Sequence, residues 1–434
     1  MNRRSTDIES VRAFEALDSR GNPTVSCQVR LVGGAEGTAS VPSGASTGRH
    51  EAHELRDGGT RYGGLGVRRA VDNVTGELAL AVAGIDATEQ ESVDSALLAA
   101  DGTADLSRLG ANAVLAVSVA TALAAAAAAG HPLYRLAAAD GDEVLLPLPM
   151  VNVISGGAHA AGALDLQDLL VVPVGAESFA EAIEWAWRVR RATGEVLERE
   201  GLPTALVADE GGYGPPIASN RRGLELLMRG IEASGLSSGD EVAIAVDVAA
   251  SQLYDRGSER YVLALEDRSL TAAEWAGEIA SWVDELPIVS LEDVMAEDDW
   301  ASWAEAGRLL PSVQLLGDDL FVTDAGRLAK GIENGIANAV LVKPNQTGTL
   351  SSARRVVEDA RRASYATVLS ARSGETEDSW LADLAVAWRT GQIKVGSTTR
   401  SERTAKWNRL LRIEAEVGDA ARFAGRGSLA PLLS

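Results

Sequence analysis

The chain has 434 residues, too many for one typical hydrophobic core, so two domains are the default expectation. Hydrophobic residues make up 46% and charged residues 24%, the composition of an ordinary globular protein. The formal net charge of -22, with basic residues scattered and no long basic tract, argues against nucleic-acid binding. An acidic protein that binds an anion needs a local positive centre from a metal, Lys or Arg. No run of 18 apolar residues stands out, and MNRRSTDIES lacks the apolar region of a secretory signal. The expectation is a cytoplasmic protein without membrane contact.

Residues 5–40 read as strand and hairpin material, with turn chemistry at Ser19-Arg20-Gly21-Asn22-Pro23. The single cysteine, Cys27, has the alternating flanks of a strand and is expected to be a packed thiol. VPSGASTGRHE, residues 41–51, is too rich in glycine and hydroxyls for a stable element. It reads either as a surface loop or as a mobile lid over an anion. Residues 67–88 and 108–129 look helical, the second an alanine-rich run ended by Gly130 and Pro132. We set the domain boundary between 138 and 139, giving an N-terminal domain 1–138 and a C-terminal domain 139–434.

Beyond GDEVLLPLP, which marks a connection and a new strand, strand-like runs recur. They are 169–174, 205–209, 241–247, 287–293, 313–319, 339–344, 367–372 and 392–396, with helical patterns such as 352–363 in the gaps. This alternation suits a β/α barrel with its active face at the C-terminal strand ends. An open doubly wound sheet is disfavoured because no GxGxxG follows an early strand.

Asp247, Glu292 and Asp318 each close an apolar run. In a barrel these carboxylates would converge at one mouth and repel one another unless a cation sat between them. An all-oxygen set suits Mg²⁺; the plain alternative is that each acid caps the next helix. Glu210, in Asp209-Glu210-Gly211-Gly212, would project from a tight turn as a proton donor or acceptor. Lys343 and Lys394 lie inside strand-like segments, where a lysine needs a partner or a role; near other cations it becomes a feasible base. His159 stands among glycine and alanine with no zinc-type spacing. Arg372-Ser373-Gly374 offers an anion clamp. Metal, lysine and glutamate together suit removal of a proton next to a carboxylate, followed by loss of a β-substituent.

With DSRGNPTV at 18–25, VPSGASTG at 41–48, DEGG at 209–212, SLEDV at 290–294, LVKPNQTGT at 341–349, RSGETED at 372–378 and GQIK at 391–394, the sequence closely resembles enolase, the phosphopyruvate hydratase family, over nearly its whole length. That resemblance implies an N-terminal α+β domain followed by an enolase-type β/α (TIM-like) barrel with an irregular ββαα start. It implies Lys343 as the α-proton base, Glu210 as the acid that helps the hydroxyl leave, and Asp247, Glu292 and Asp318 around the first of two Mg²⁺ ions. Ser46 would close over the substrate and reach the second ion. Lys394, Arg372 and Ser373 would bind carboxylate and phosphate, His159 and Gln167 would line the pocket, and Asp168 would support the catalytic glutamate. The implied substrate is 2-phosphoglycerate or a close phosphorylated or phosphonate carboxylate, and the implied assembly is a homodimer.

The sequence departs from the family pattern at several points. Ala371 stands where the family has a substrate-side histidine, Ser155 replaces an asparagine, Asp168 a glutamate, and Gln252 a glutamate. Ser26 replaces the glutamate that in the family pairs across the dimer with an arginine, here Arg412. Two alternatives to plain enolase activity follow: a specialised, enolase-like carboxyphosphonoenolpyruvate synthase using a nucleotide-activated phosphonoformate, or a non-catalytic binding or structural homologue.

Overall fold

The computed structural model describes residues 4–137 and 143–430. The boundary expected between 138 and 139 lies outside the described residues. The N-terminal part opens with an antiparallel sheet of three strands, Ile8–Leu17, Pro23–Leu31 and Glu36–Ser40. The helix Ala111–Ala129 packs on it. Its alanines let it approach so closely that a Cβ on Gly37 would come within 2.2 Å of the Ala120 carbonyl oxygen and the Ala124 nitrogen. By length and composition this helix could cross a membrane. It is instead buried along most of its length in the domain core, the usual fate of a helix apolar all round. Cys27 is fully buried, and burial pushes its thiol well up, as a packed and unreactive cysteine requires. The helical segment expected at 67–88 runs from Arg68 to Val82 with a π turn over Val74–Leu78.

Eight strands then close a barrel. The first, Leu148–Ser155, pairs antiparallel with Asp168–Val172, which pairs antiparallel with Ala243–Asp247. From there Ile288–Glu292, Gln314–Gly317, Ala339–Val342, Ala366–Ser370 and Gly391–Gly396 run parallel and return to the first strand. Because Asp168–Val172 is reversed, its first residue lies at the rim where its neighbours have their last. Cross-strand pairing therefore puts Ser155, Asp168, Asp247 and Glu292 in one row. Leu148, Met150, Leu170, Leu316, Leu341 and Val368 are among the side chains of a separate apolar cluster, while a larger one joins the helices to the sheet.

One expected strand is absent. Residues 205–209 form a loop outside the barrel, held by Ala208 N–H to Gly212 O (2.9 Å) and Gly214 N–H to Leu206 O (2.7 Å). Leu206 and Val207 are 50% and 43% exposed, so this apolar run never gains the two-sided burial that drives a barrel strand. The barrel strand Leu148–Ser155 takes its place in the closed sheet, continuing the strand signal at GDEVLLPLP.

Candidate active site at the barrel mouth

The charged strand ends meet at the rim, as their position after apolar runs predicted. Asp247 ends its strand, Glu292 the next, Asp318 follows Gly317, and Lys343 follows Val342. All four are nearly inaccessible. The Lys394 ammonium bridges Asp247 Oδ2 and Glu292 Oε2 at 2.7 Å each, and Lys343 pairs with Asp318. The predicted carboxylate trio is thus divided between two lysines. Burial alone would lower both ammonium groups, but the facing carboxylates hold them above the ordinary lysine range. Burial, reinforced by Asp247, pushes the Glu292 carboxyl well up. Burial also acts on Asp318, but Lys343 prevails and holds it below the usual range.

A small, tight pocket lies among these groups. Lys343, Lys394, Asp247, Glu210, His159 and Gln167 line it, and Ser46, Ser370, Ala371, Arg372 and Ser373 complete the wall. Ten residues singled out in the sequence therefore line one space. Glu292, Asp318 and Asp168 stand directly behind it, bonded to its lining: Asp168 accepts from His159 Nδ1 at 2.7 Å. Burial disfavours a charged imidazole there, but Asp168 and Glu210 outweigh it and raise His159 to about 9.

Two of the departures from the family pattern touch each other. Ser155 Oγ donates to Asp168 Oδ1 at 2.8 Å, and Asn152 Nδ2 bonds both. A third reaches the pocket wall: Gln252 Nε2 donates to Gln167 Oε1 (2.6 Å), and Gln167 Nε2 donates to Asp247 Oδ2 (3.1 Å). Ala371 is buried in the pocket wall and contributes no polar group there. Ser26 is buried and accepts a hydrogen bond from Ser40 Oγ within its own sheet (3.0 Å), while Arg412 is exposed.

Two buried clusters among the described residues could each coordinate a divalent metal: His159, Asp168 and Glu210, and Asp293, Asp318 and Asp319. Sequence reasoning passed over Asp293 and Asp319. Asp293 has a left-handed backbone (φ 46°), and its carboxylate accepts from the N–H groups of Asp318 (3.0 Å) and Asp319 (2.7 Å). Burial and the Asp318 charge raise Asp319 to about 8.

Arg403 was also missed, although it sits inside the conspicuous stretch TRSERTAKWNR. Its guanidinium is fully buried and donates to the carbonyls of Arg372 (2.6 Å), Ser373, Val395 (3.0 Å) and Asp209 (3.3 Å). One side chain thereby fixes the backbone beside Glu210, Arg372 and Lys394. The short polar spacing of TRSER gave no sign that this arginine faces inward.

Residues 8–136 match the family model described as "Enolase, N-terminal domain", and residues 143–432 match "Enolase, C-terminal TIM barrel domain". The chain belongs to the enolase family. The enolase fold and the buried acidic clusters at its barrel mouth support metal-dependent lyase chemistry in general. Within that fold the reversed second strand brings Asp168 to the active rim, which simple strand-helix alternation does not anticipate.

Proposed function

We infer that the protein is a Mg²⁺-dependent lyase that converts 2-phosphoglycerate to phosphoenolpyruvate and water. The observation that carries this reading is one small pocket lined by Lys343 and Glu210 together with the fixed cations Lys394 and Arg372. A substrate with a carboxylate and a phosphate meets positive charge at both ends, with a base and an acid between.

The donor set fits a hard cation. Asp247, Glu292 and Asp318 offer only oxygen, and Glu292 Oε1 is buried with no hydrogen-bond partner among the described residues. These three residues would hold the first Mg²⁺, and Ser46 would approach a second. When bound, the metal supplies positive charge against the negative charge that develops on the substrate carboxylate. Lys343 accepts the α-proton. It does so only as the neutral amine, so its pairing with Asp318 must be relieved when Asp318 is engaged elsewhere. Glu210 gives a proton to the departing β-hydroxyl, which leaves as water, and the C–H electron pair becomes the new double bond. Lys394, Arg372 and Ser373 hold the carboxylate and phosphate, and His159 and Gln167 fix the substrate's remaining face.

Ala371 favours a second reading. Its buried, apolar position widens the wall beside Arg372 and removes a donor. That suits a bulkier phosphonate partner, as in a carboxyphosphonoenolpyruvate synthase. A single assay separates the two: the absorbance of the enol product from 2-phosphoglycerate, with and without Mg²⁺. Turnover at about 1–10³ s⁻¹ that requires Mg²⁺ supports the first. Absence of turnover in folded, Mg²⁺-loaded protein refutes it and directs the search to phosphonate substrates.

A further inference from the structure

The loop 41–51 belongs to the N-terminal domain but is docked on the barrel. Ser43 forms a two-way backbone bridge with Gly374, Ala45 N–H donates to Ser373 Oγ (2.6 Å), and Arg49 N–H donates to Glu297 (2.9 Å). The approach is tight enough that a Cβ on Gly44 would fall 2.0 Å from the Arg372 guanidinium.

At this contact Glu51 grips Arg372 with both carboxylate oxygens, at 2.9 Å to NH1 and 3.2 Å to NH2. NH1 also donates to Asn345 Oδ1 (2.9 Å) and NH2 to the Ser46 carbonyl (3.0 Å). A guanidinium has five N–H groups. Four are committed to protein, and among the described residues the Nε–H alone has no protein acceptor. The pair is buried, with side chains 2% and 9% exposed, so it is neither solvated nor screened. Glu51 Oε1 also accepts from Gly48 N–H (2.9 Å) and Gln346 Nε2 (3.3 Å), and that same Gln346 Nε2 donates to Asp318 Oδ1 (3.0 Å). Glu51 is thus the point where the loop, the anion clamp and the partner of Lys343 are joined. No sequence motif marked it as a site residue.

We propose that Glu51 is a positioning residue for anion binding, which fixes the Arg372 guanidinium on the pocket wall with its Nε edge toward the substrate phosphate. A fixed guanidinium binds an anion without first losing side-chain freedom, and a buried one needs a permanent countercharge when no substrate is bound. Glu51 meets both needs without touching the substrate. The inference rests on the reading above that the pocket takes a phosphorylated carboxylate, but it is testable without turnover.

The test is calorimetric binding of inorganic phosphate to the wild type, E51Q, R372K and the double variant, with the 2-phosphoglycerate KM and kcat measured alongside. Glu51→Gln keeps the shape and removes the charge. The expected result is phosphate binding weakened at least 5-fold in E51Q, little further loss when E51Q is added to R372K, and KM raised at least 10-fold with kcat within 3-fold. Stability to urea should fall because Arg372 loses its buried countercharge, but Mg²⁺ affinity should match the wild type, which a general loss of structure would not give, and Glu51→Asp should recover part of the loss. Unchanged or tighter phosphate binding in E51Q overturns the inference, the latter making Glu51 a competitor. Additivity with R372K, or no phosphate binding by the wild type, also overturns it. If 2-phosphoglycerate is not turned over while E51Q still weakens phosphate binding, the substrate reading fails and the role of Glu51 stands.

Discussion

The His159–Asp168 pair makes the stability of the metal-free protein depend on pH in a calculable way. His159 is raised from 6.5 to about 9 by Asp168 and Glu210, against the opposing effect of its burial. A raised histidine stabilises the fold fully below its unfolded value and loses that contribution as pH rises through its folded value. The window is therefore about pH 6.5 to 9. At 1.36 kcal/mol per pKa unit, the contribution lost across it is about 3 kcal/mol. The perturbation is His159→Gln, which removes the titrating group, and the assay is urea unfolding of both proteins in chelator from pH 6 to 10. The wild type should exceed the variant by about 3 kcal/mol more at pH 6 than at pH 10. Other titrating groups act in both proteins and largely cancel in the difference. A difference that does not change with pH would refute the reasoning, because His159 would then titrate in the folded state as it does in the unfolded one.

Three further outcomes are expected. Lys343→Ala should abolish exchange of the substrate α-proton with deuterated solvent, whereas Glu210→Gln should retain exchange and lose elimination; exchange surviving in K343A would remove Lys343 as the base. Ala371→His should raise turnover of 2-phosphoglycerate by restoring a donor at the pocket wall, and no rise would assign the altered specificity to Ser155, Asp168 and Gln252. Arg403→Met should cost on the order of 3–6 kcal/mol in urea unfolding, because several buried carbonyls lose their donor together. A loss under about 1 kcal/mol would mean that water replaces the guanidinium.

The mouth of the barrel was legible because its chemistry is written as local contradiction. Asp247, Glu292, Asp318 and Lys343 interrupt or end apolar runs, and the fold resolves the contradiction by placing them at strand ends. The run at 205–209 carried the same signal and misled, since apolar patterning cannot tell a barrel strand from a loop outside the barrel. Arg403 and Glu51 left no local sign. Each acts on groups far away in the chain, the Glu51–Arg372 pair being 321 positions apart, and nothing in their flanks distinguishes a buried clamp from a solvated side chain. Asp293 was hidden for a different reason: its role depends on a left-handed backbone that only the folded rim imposes. The reversed strand was equally hidden in composition, because reversing a strand leaves its alternation unchanged.

The clamp at Arg403 has a consequence for biogenesis. Its partners lie at 209, 372, 373 and 395, and it rides on the helix Ser401–Val417. During synthesis from the N-terminus, Lys343, Glu210 and Arg372 all emerge before the residue that fixes the backbone beside them. A nascent chain can hold the earlier strands and still lack a set pocket until that helix docks. The pocket would then be set late and abruptly.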